Sequence, residues 1–203
     1  MYRSSRFIPA MLLAAVLAGC ATGGAPLSNP NAAAAAYRDT LERSGRLSVT
    51  YQKDGQPQNV SVLFRWTQQP GRIDVALDSQ LGSTLAQISV TPQAATLTQS
   101  GHAPRTEKDI DSLTRRTLGW SLPVNGLADW LQGYATDASG KRFAASPANN
   151  NVFTDDGWRL RFAEWQDGPK GSGGAMPRII RAGRAATADS EELSVNIVVD
   201  PVQ

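Results

Sequence analysis

Apolar and polar residues alternate one by one along much of residues 46–99, and this alternation constrains the fold more than any other feature. The alternating segments are residues 46–51, 59–67, 72–78, 85–90 and 94–99. A period of two places successive side chains on opposite faces of a β-strand. Asp54-Gly55, Pro70-Gly71 and Ser100-Gly101 separate these segments with residues typical of turns. We therefore predict an antiparallel meander with one apolar and one polar face.

Further strands are predicted at about residues 152–154, 158–164, 178–182 and 193–199, and the stretch 168–174 is predicted as a flexible hairpin loop. Apolar residues at helical spacing predict two short helices, at 107–118 and 124–132. A third helix is predicted over residues 32–43, because Asn31 is a good N-cap, five alanines follow and Gly45 provides a stop.

About nine antiparallel strands curl into a barrel or half-barrel that can enclose an interior of ligand size. Most of the predicted strands are shorter than the 9–11 residues or so that a membrane-spanning strand needs. We expect one soluble domain over residues 32–203, mainly β, with the two short helices lying across an open end of the sheet.

The first twenty residues resemble a bacterial export signal. Arg3 and Arg6 precede an apolar run at residues 7–17, which is too short to cross a bilayer, since crossing takes about 20 helical residues. Leu17-Ala18-Gly19-Cys20 then matches the lipobox, in which the cysteine becomes the new N-terminus. We predict a signal peptide at residues 1–19; the alternative is an ordinary cleaved signal with an incidental cysteine.

Cys20 is accordingly predicted to carry a diacylglyceryl thioether and an N-acyl chain. Residues 20–31 are rich in Gly, Pro and small polar side chains and are predicted to form the tether. Ala21, in place of Asp, is typical of lipoproteins destined for the outer membrane. We expect a lipid-anchored protein at the outer membrane that faces the periplasm.

Charge and composition exclude several kinds of partner. Of 20 basic and 18 acidic residues, the signal removes Arg3 and Arg6 and no acid, so 18 of each remain. A neutral mature chain gives no reason to expect nucleic-acid binding. A single Cys and a single His leave no disulfide and no Cys- or His-rich metal site.

No catalytic constellation is evident. His102 lies in a predicted turn, and no Gly-x-Ser-x-Gly motif accompanies it. The pairs Asp109/Asp111 and Asp155/Asp156 fit a helix start and a hairpin turn. The stretch 168–174 lacks the phosphate-loop pattern. We expect no enzyme, no cofactor and no metal.

The tryptophans at positions 66, 120, 130, 158 and 165 belong either to a core or to the wall of an apolar cavity. Alternation and helical spacing predict the following cavity lining: Val62, Phe64, Trp66, Ile73, Val75, Leu77, Leu113, Trp120, Leu127, Trp130 and Leu131. Leu81 stands at the centre of a polar loop at residues 78–84. In a membrane-tethered protein, we expect it to insert into the bilayer for roughly 1.5–3 kcal/mol.

Four stretches of the chain resemble, in their order and spacing, the LolB family of outer-membrane lipoprotein receptors: residues 44–49, 64–68, 78–84 and 118–133. The lipobox also lies where it does in this family. The resemblance implies an incomplete antiparallel β-barrel closed by a helical lid over an apolar cavity for acyl chains. It also implies that a lipoprotein is accepted from the soluble carrier LolA and placed in the outer membrane without nucleotide. Leu81 matches the family's protruding-loop leucine, whereas Gln80 replaces a proline found in some relatives. The loop at residues 168–177 varies within the family, so the resemblance does not fix the bounds of the strands on either side of it.

The implied partners are LolA, acylated lipoprotein cargo and outer-membrane lipid, and a monomer is expected. Three alternatives stay open at this point: a general lipid- or glycolipid-binding lipoprotein, an assembly scaffold with a filled core, and a hydrolase.

Overall fold

The computed structural model describes residues 27, 29, 31–53, 55–118, 123–169, 174–187 and 191–201. Within them are twelve strands and two helices. In chain order these are β1 (Leu41–Lys53), β2 (Gln56–Gln69), β3 (Arg72–Asp78), β4 (Thr84–Val90), β5 (Ala95–Gln99), β6 (Arg105–Glu107), α1 (Ile110–Leu118), α2 (Val124–Trp130), β7 (Tyr134–Thr136), β8 (Arg142–Ala144), β9 (Asn151–Phe153), β10 (Arg159–Asp167), β11 (Ala175–Arg184) and β12 (Leu193–Val199). Neither helix is long and apolar enough to cross a membrane.

Ten of these strands form one antiparallel sheet in the order β6-β5-β4-β3-β2-β1-β12-β11-β10-β9, and β7 and β8 form a separate hairpin. Two meanders thus meet where β1 pairs with β12, from Gly45 opposite Val199 to Tyr51 opposite Leu193. In the described part of the chain, β6 and β9 do not pair with each other, so the sheet stays open. The predicted half-barrel is confirmed.

The hydrophobic core lies on one face of this sheet, beneath the two helices. Its described members run from Ala35 to Val199 and include alternate residues of the long strands together with Ile110, Leu113 and Leu127 from the helices. Asp109 caps α1, because its Oδ1 accepts a hydrogen bond of 2.7 Å from the Ser112 amide. This cap gives a structural role to Asp109, the first member of the acidic pair predicted at this helix start.

The prediction of an N-terminal helix is wrong. Residues 32–40 contain no helical residue, and β1 already begins at Leu41. Instead, the Ala35 amide donates to the Ala175 carbonyl (2.8 Å), and the Ala175 amide donates to the Ala33 carbonyl (2.9 Å). A Cβ on Gly174 would lie 2.5 Å from the Ala35 Cα, so glycine permits this close approach. A short helix is marginal on its own, and here strand-like pairing with buried Ala35 replaces it.

The other elements follow the alternation closely, and β3 and β12 have the predicted bounds. The two predicted helices are present, although α1 begins at Ile110 because residues 105–107 form β6. The sequence prediction missed three strands, β6, β7 and β8, which are three residues long each. Of the predicted loop at 168–174, residues 170–173 lie outside the described residues, as do the signal peptide and Cys20.

Candidate functional site

The concave face of the sheet holds a cavity of about 550 Å³ beside α1. Its apolar wall comes from alternate residues of β1 to β5, because every second side chain of these strands faces inward. The lining strand residues include Leu47, Val49, Val60, Val62, Leu77, Ala86, Ile88 and Leu97. Leu113, Thr114 and Thr117 of α1 close one side. We call this space the open compartment.

One end of the open compartment is polar. Gln52 and Lys53, at the end of β1, and Glu191 and Glu192, just before β12, line it there. These four residues lie together because Tyr51 pairs with Leu193. We call them the polar rim. Val60 and Leu85 also line the compartment and are 45% and 47% exposed, so apolar surface is accessible from outside.

A second space lies beneath α2 and is almost filled, with only about 20 Å³ left. Phe64, Trp66 and Val75 from the sheet meet Leu127 and Leu131 there. We call this space the filled compartment. It is small because Phe64 and Trp66 occupy volume there, whereas the smaller side chains of three valines and Ala86 leave volume free in the open compartment.

The predicted lining residues therefore divide into groups. Val62, Leu77 and Leu113 line the open compartment, and Phe64, Trp66, Val75, Leu77, Leu127 and Leu131 line the filled one. Ile73 borders a polar groove outside both compartments, and Trp130 packs edge-on against Trp158 with ring centroids 5.5 Å apart. Trp120 lies outside the described residues. The prediction omitted Leu47, Val49, Ile88 and Leu97, although the same alternation could have found them.

Leu81 stands at the tip of the β3–β4 loop and is 96% exposed. The loop is braced from within, because the Ser79 amide donates to the Ser83 carbonyl (2.8 Å) and the Gly82 amide donates to the Ser79 carbonyl (2.9 Å). Gly82 has a φ of 85°, a left-handed conformation that favours glycine. The loop therefore holds a large apolar side chain in solvent on a closed, hydrogen-bonded turn.

Asp78 fixes the base of this loop. Its carboxylate accepts hydrogen bonds from Arg65 Nε (2.9 Å) and from the Thr84 hydroxyl (2.7 Å). The Arg65 guanidinium, followed by the Thr84 hydroxyl, holds the pKa of Asp78 below its ordinary value. Asp78 stays ionised at neutral pH and joins β2, β3 and the start of β4.

A polar cluster borders α2 on its outer side. The Arg142 guanidinium lies 4.4 Å from the ring centre of Tyr37 and 4.6 Å from that of Tyr134. Burial raises the pKa of the Asp129 carboxyl above its ordinary value, although the nearby Arg142 charge acts in the opposite direction. Gln132 accepts from the Arg38 amide and donates to its carbonyl. This cluster attaches the segment before β1 to the end of α2.

The residues weighed for catalysis are not assembled into a site. His102 is exposed in a turn, where Nδ1 lies 3.0 Å from the Ser100 carbonyl oxygen. Asp155 and Asp156 are exposed in the turn between β9 and β10. Among the described residues, no group of three or more His, Cys, Asp or Glu side chains could hold a metal ion.

The fold and the site define a class: open antiparallel half-barrels with an apolar cavity of ligand size beside two helices. The sequence profile of the family described as "Outer membrane lipoprotein LolB" matches residues 39–201. The chain belongs to this family. This match confirms the resemblance inferred from the four sequence stretches. It also excludes the hydrolase alternative, because the family consists of lipoprotein-localisation factors and not of enzymes.

Individual relatives agree with this assignment. The chain is similar to an outer-membrane lipoprotein LolB of Cupriavidus taiwanensis, with 36% identity over 159 residues that cover 78% of each chain. One from Ralstonia nicotianae is 32% identical over 204 residues, 97% of each chain. Among solved structures, a LolA superfamily protein from Nitrosomonas europaea aligns with a TM-score of 0.45 and 8% identity, over 81% of this chain and 86% of that one. A match at this level adds no weight to the assignment.

Proposed function

We propose that this protein accepts lipoproteins from the periplasmic carrier LolA and releases them into the outer membrane, with acyl chains of the cargo buried in the open compartment. The observation that carries the proposal is the cavity of about 550 Å³ with an apolar wall, close in sequence and in space to the exposed Leu81 loop. Leu77 lines the cavity, and the Leu81 loop begins two residues later.

Transfer by this route needs no nucleotide. Each methylene group moved from water to an apolar wall contributes about 0.8 kcal/mol. A cavity that buries more of a chain than the carrier does therefore draws the chain from the carrier, and a bilayer draws it onward. Helices α1 and α2 cover the concave face, so their movement away from the sheet is the step that admits and releases the chain.

The anchor keeps the protein at the membrane that receives the cargo. In the proposal, residues 1–19 are removed and Cys20 carries the lipid, with residues 20–31 as the tether. Two or more acyl chains anchor a protein stably, whereas one chain holds it only marginally. The folded body faces the periplasm and meets the carrier there as a monomer.

Leu81 is the membrane-inserting residue in this proposal. Leu81→Glu should leave acyl binding and thermal stability unchanged, because the side chain is 96% exposed, but should block release into liposomes. Phe153→Glu is the matched control, since Phe153 is 58% exposed on the edge strand β9 and should not affect release. If Leu81→Glu abolishes acyl binding, or if it releases cargo like the wild type, the insertion role is wrong.

A transfer assay tests the whole proposal. LolA loaded with an acylated lipoprotein is mixed with residues 21–203 of this chain, and a pull-down shows which protein holds the cargo. The shortened chain keeps every described core residue, because the core begins at Ala35. Movement of cargo to this protein without ATP is expected. Cargo that stays on a competent carrier would favour a general lipid-binding or scaffold lipoprotein.

A further inference from the structure

The open and filled compartments share a boundary formed by two side chains. Among the described residues, Leu47 and Leu77 line both spaces, and the other lining residues border only one. Leu47 is 7% exposed and Leu77 is partly buried against the core. We call this pair the leucine partition.

The register of the sheet explains where the partition lies. Leu47 pairs with Val62, and Leu77 pairs with Phe64, so the two leucines stand on either side of β2 at neighbouring inward-facing positions. Towards Lys53, β2 presents Val60 and Val62, whose small side chains leave the space of the open compartment. On the other side it presents Phe64 and then Trp66, which fill the space beneath α2.

The polar rim lies at the opposite end of the open compartment. Lys53 is six residues beyond Leu47 on β1, a distance of about 20 Å at 3.4 Å per residue. An amphiphile in this compartment therefore places its polar end at the rim, where water and charged side chains are available. Its terminal methyl group then lies against the leucines, which present only hydrocarbon.

The volume of the open compartment limits what fits. A methylene group takes up about as much space as a water molecule, whose share of liquid volume is roughly 30 Å³, so a volume of about 550 Å³ corresponds to about 18 carbon groups. We infer that the open compartment receives a single acyl chain of at most about 18 carbons, and that Leu47 and Leu77 set this limit. The inference rests on the proposed function, because it names the part of the cargo that this cavity takes.

A chain-length series tests the inference. Saturated fatty acid methyl esters of increasing length, delivered from cyclodextrin, compete with the fluorescent probe 1-anilinonaphthalene-8-sulfonate on residues 21–203. For the wild type, affinity should rise by about four-fold per methylene and then level off between about 16 and 18 carbons. Native mass spectrometry should show one ester per protein.

Leu77→Ala should move the levelling point about three carbons further, because it removes three carbon groups from the partition. A 20-carbon ester, two methylenes longer than an 18-carbon limit, should then bind about 16-fold more tightly to the variant than to the wild type. Leu127→Ala is the matched control: it removes the same atoms, but from the filled compartment alone, so the levelling point should not move. Leu47→Ala replaces Leu77→Ala if that variant does not fold, as judged by circular dichroism.

The possible outcomes separate the inference from the function on which it rests. A folded Leu77→Ala that levels off at the wild-type length would overturn the role of the partition. Two or more esters on the wild type, or affinity that keeps rising well beyond 18 carbons, would overturn the single-chain limit. Failure of the wild type to bind any ester would instead overturn the proposed acyl-binding function itself.

Discussion

At the scale of single residues, Asp78 shows how a charged group supports a loop that carries an exposed apolar side chain. Its side chain is 9% exposed and receives hydrogen bonds from Arg65 and Thr84 at the base of the loop that carries Leu81. A loop that presents a leucine to water would bury that leucine if it were free to collapse. The ion pair and the internal turn hydrogen bonds oppose such a collapse.

Asp78→Asn should destabilise the protein in a pH-dependent way. The folded-state pKa of Asp78 lies below the unfolded value of about 3.9, so the ionised group stabilises the fold above about pH 4. That contribution is lost as the pH falls through the folded-state pKa. Because Arg65 is 62% exposed, solvent screens the pair. We expect the variant to melt about 2–4 °C lower at neutral pH.

Thermal melts of the wild type and of Asp78→Asn between neutral pH and about pH 2 check this expectation. The difference between the two midpoints should shrink as the solution becomes acidic. Asp155→Asn, at an exposed turn, is the control and should track the wild type throughout. A constant difference at all pH values would show that Asp78 acts through packing and not through its charge.

Sequence alternation correctly placed Val62, Phe64, Trp66 and Val75 inside, since all four are at most 8% exposed. It could not separate the open compartment from the filled one. That distinction depends on how closely each helix approaches the sheet, which is a tertiary distance and leaves no trace in strand periodicity. Trp130 was predicted to line the cavity but packs on Trp158, because a helical stripe does not specify its partner.

At the scale of elements, the joint between β1 and β12 depends on Gly45. A Cβ at this position would collide with the Val198 carbonyl oxygen and lie 2.9 Å from Phe64 Cε1. Gly45→Ala should therefore cost roughly 1–3 kcal/mol through overpacking, seen as a lower midpoint in urea or on heating. Gly183→Ala, in β11, is the control, because a Cβ there meets nothing within 4 Å. Equal stability of the two variants would contradict the prediction.

The sequence predicted the long elements correctly. It failed for short segments whose conformation depends on the backbone partner with which they pair. The strand pattern of β2 extends over many alternating residues, whereas β7 and β8 have three residues each, too few to display a period. The alanine run from residue 32 has high helix propensity, yet it lies against Ala175 as an extended segment. Propensity is a weak determinant when backbone groups of a distant strand are available as partners.

At the scale of the whole molecule, the open compartment is space that the protein itself can fill. Ala86 lines this compartment and is 8% exposed, so Ala86→Leu should extend into it without strain. We expect unchanged or slightly higher thermal stability, together with clearly weaker acyl binding, measured by probe displacement. Ala95→Leu is the contrasting variant: Ala95 is fully buried in β5 and does not line the compartment.

Ala95→Leu should lose roughly 1–3 kcal/mol of stability, because its site is packed. If Ala86→Leu is destabilised by a similar amount, the compartment is less open than the structure indicates. If it binds acyl esters like the wild type, ligand occupies a different part of the protein.

The central β1–β12 pair joins residues from the two ends of the chain. Leu47 lies opposite Ile197, 150 residues later, whereas the other strands of the sheet pair with sequence neighbours. During synthesis the β1–β6 meander can form early, but its β1 edge stays unpaired until β12 has been made. Such an unpaired edge attracts other strands, and closing so long a loop slows folding. The folding chain thus passes through a stage in which one edge of its own unfinished sheet is exposed.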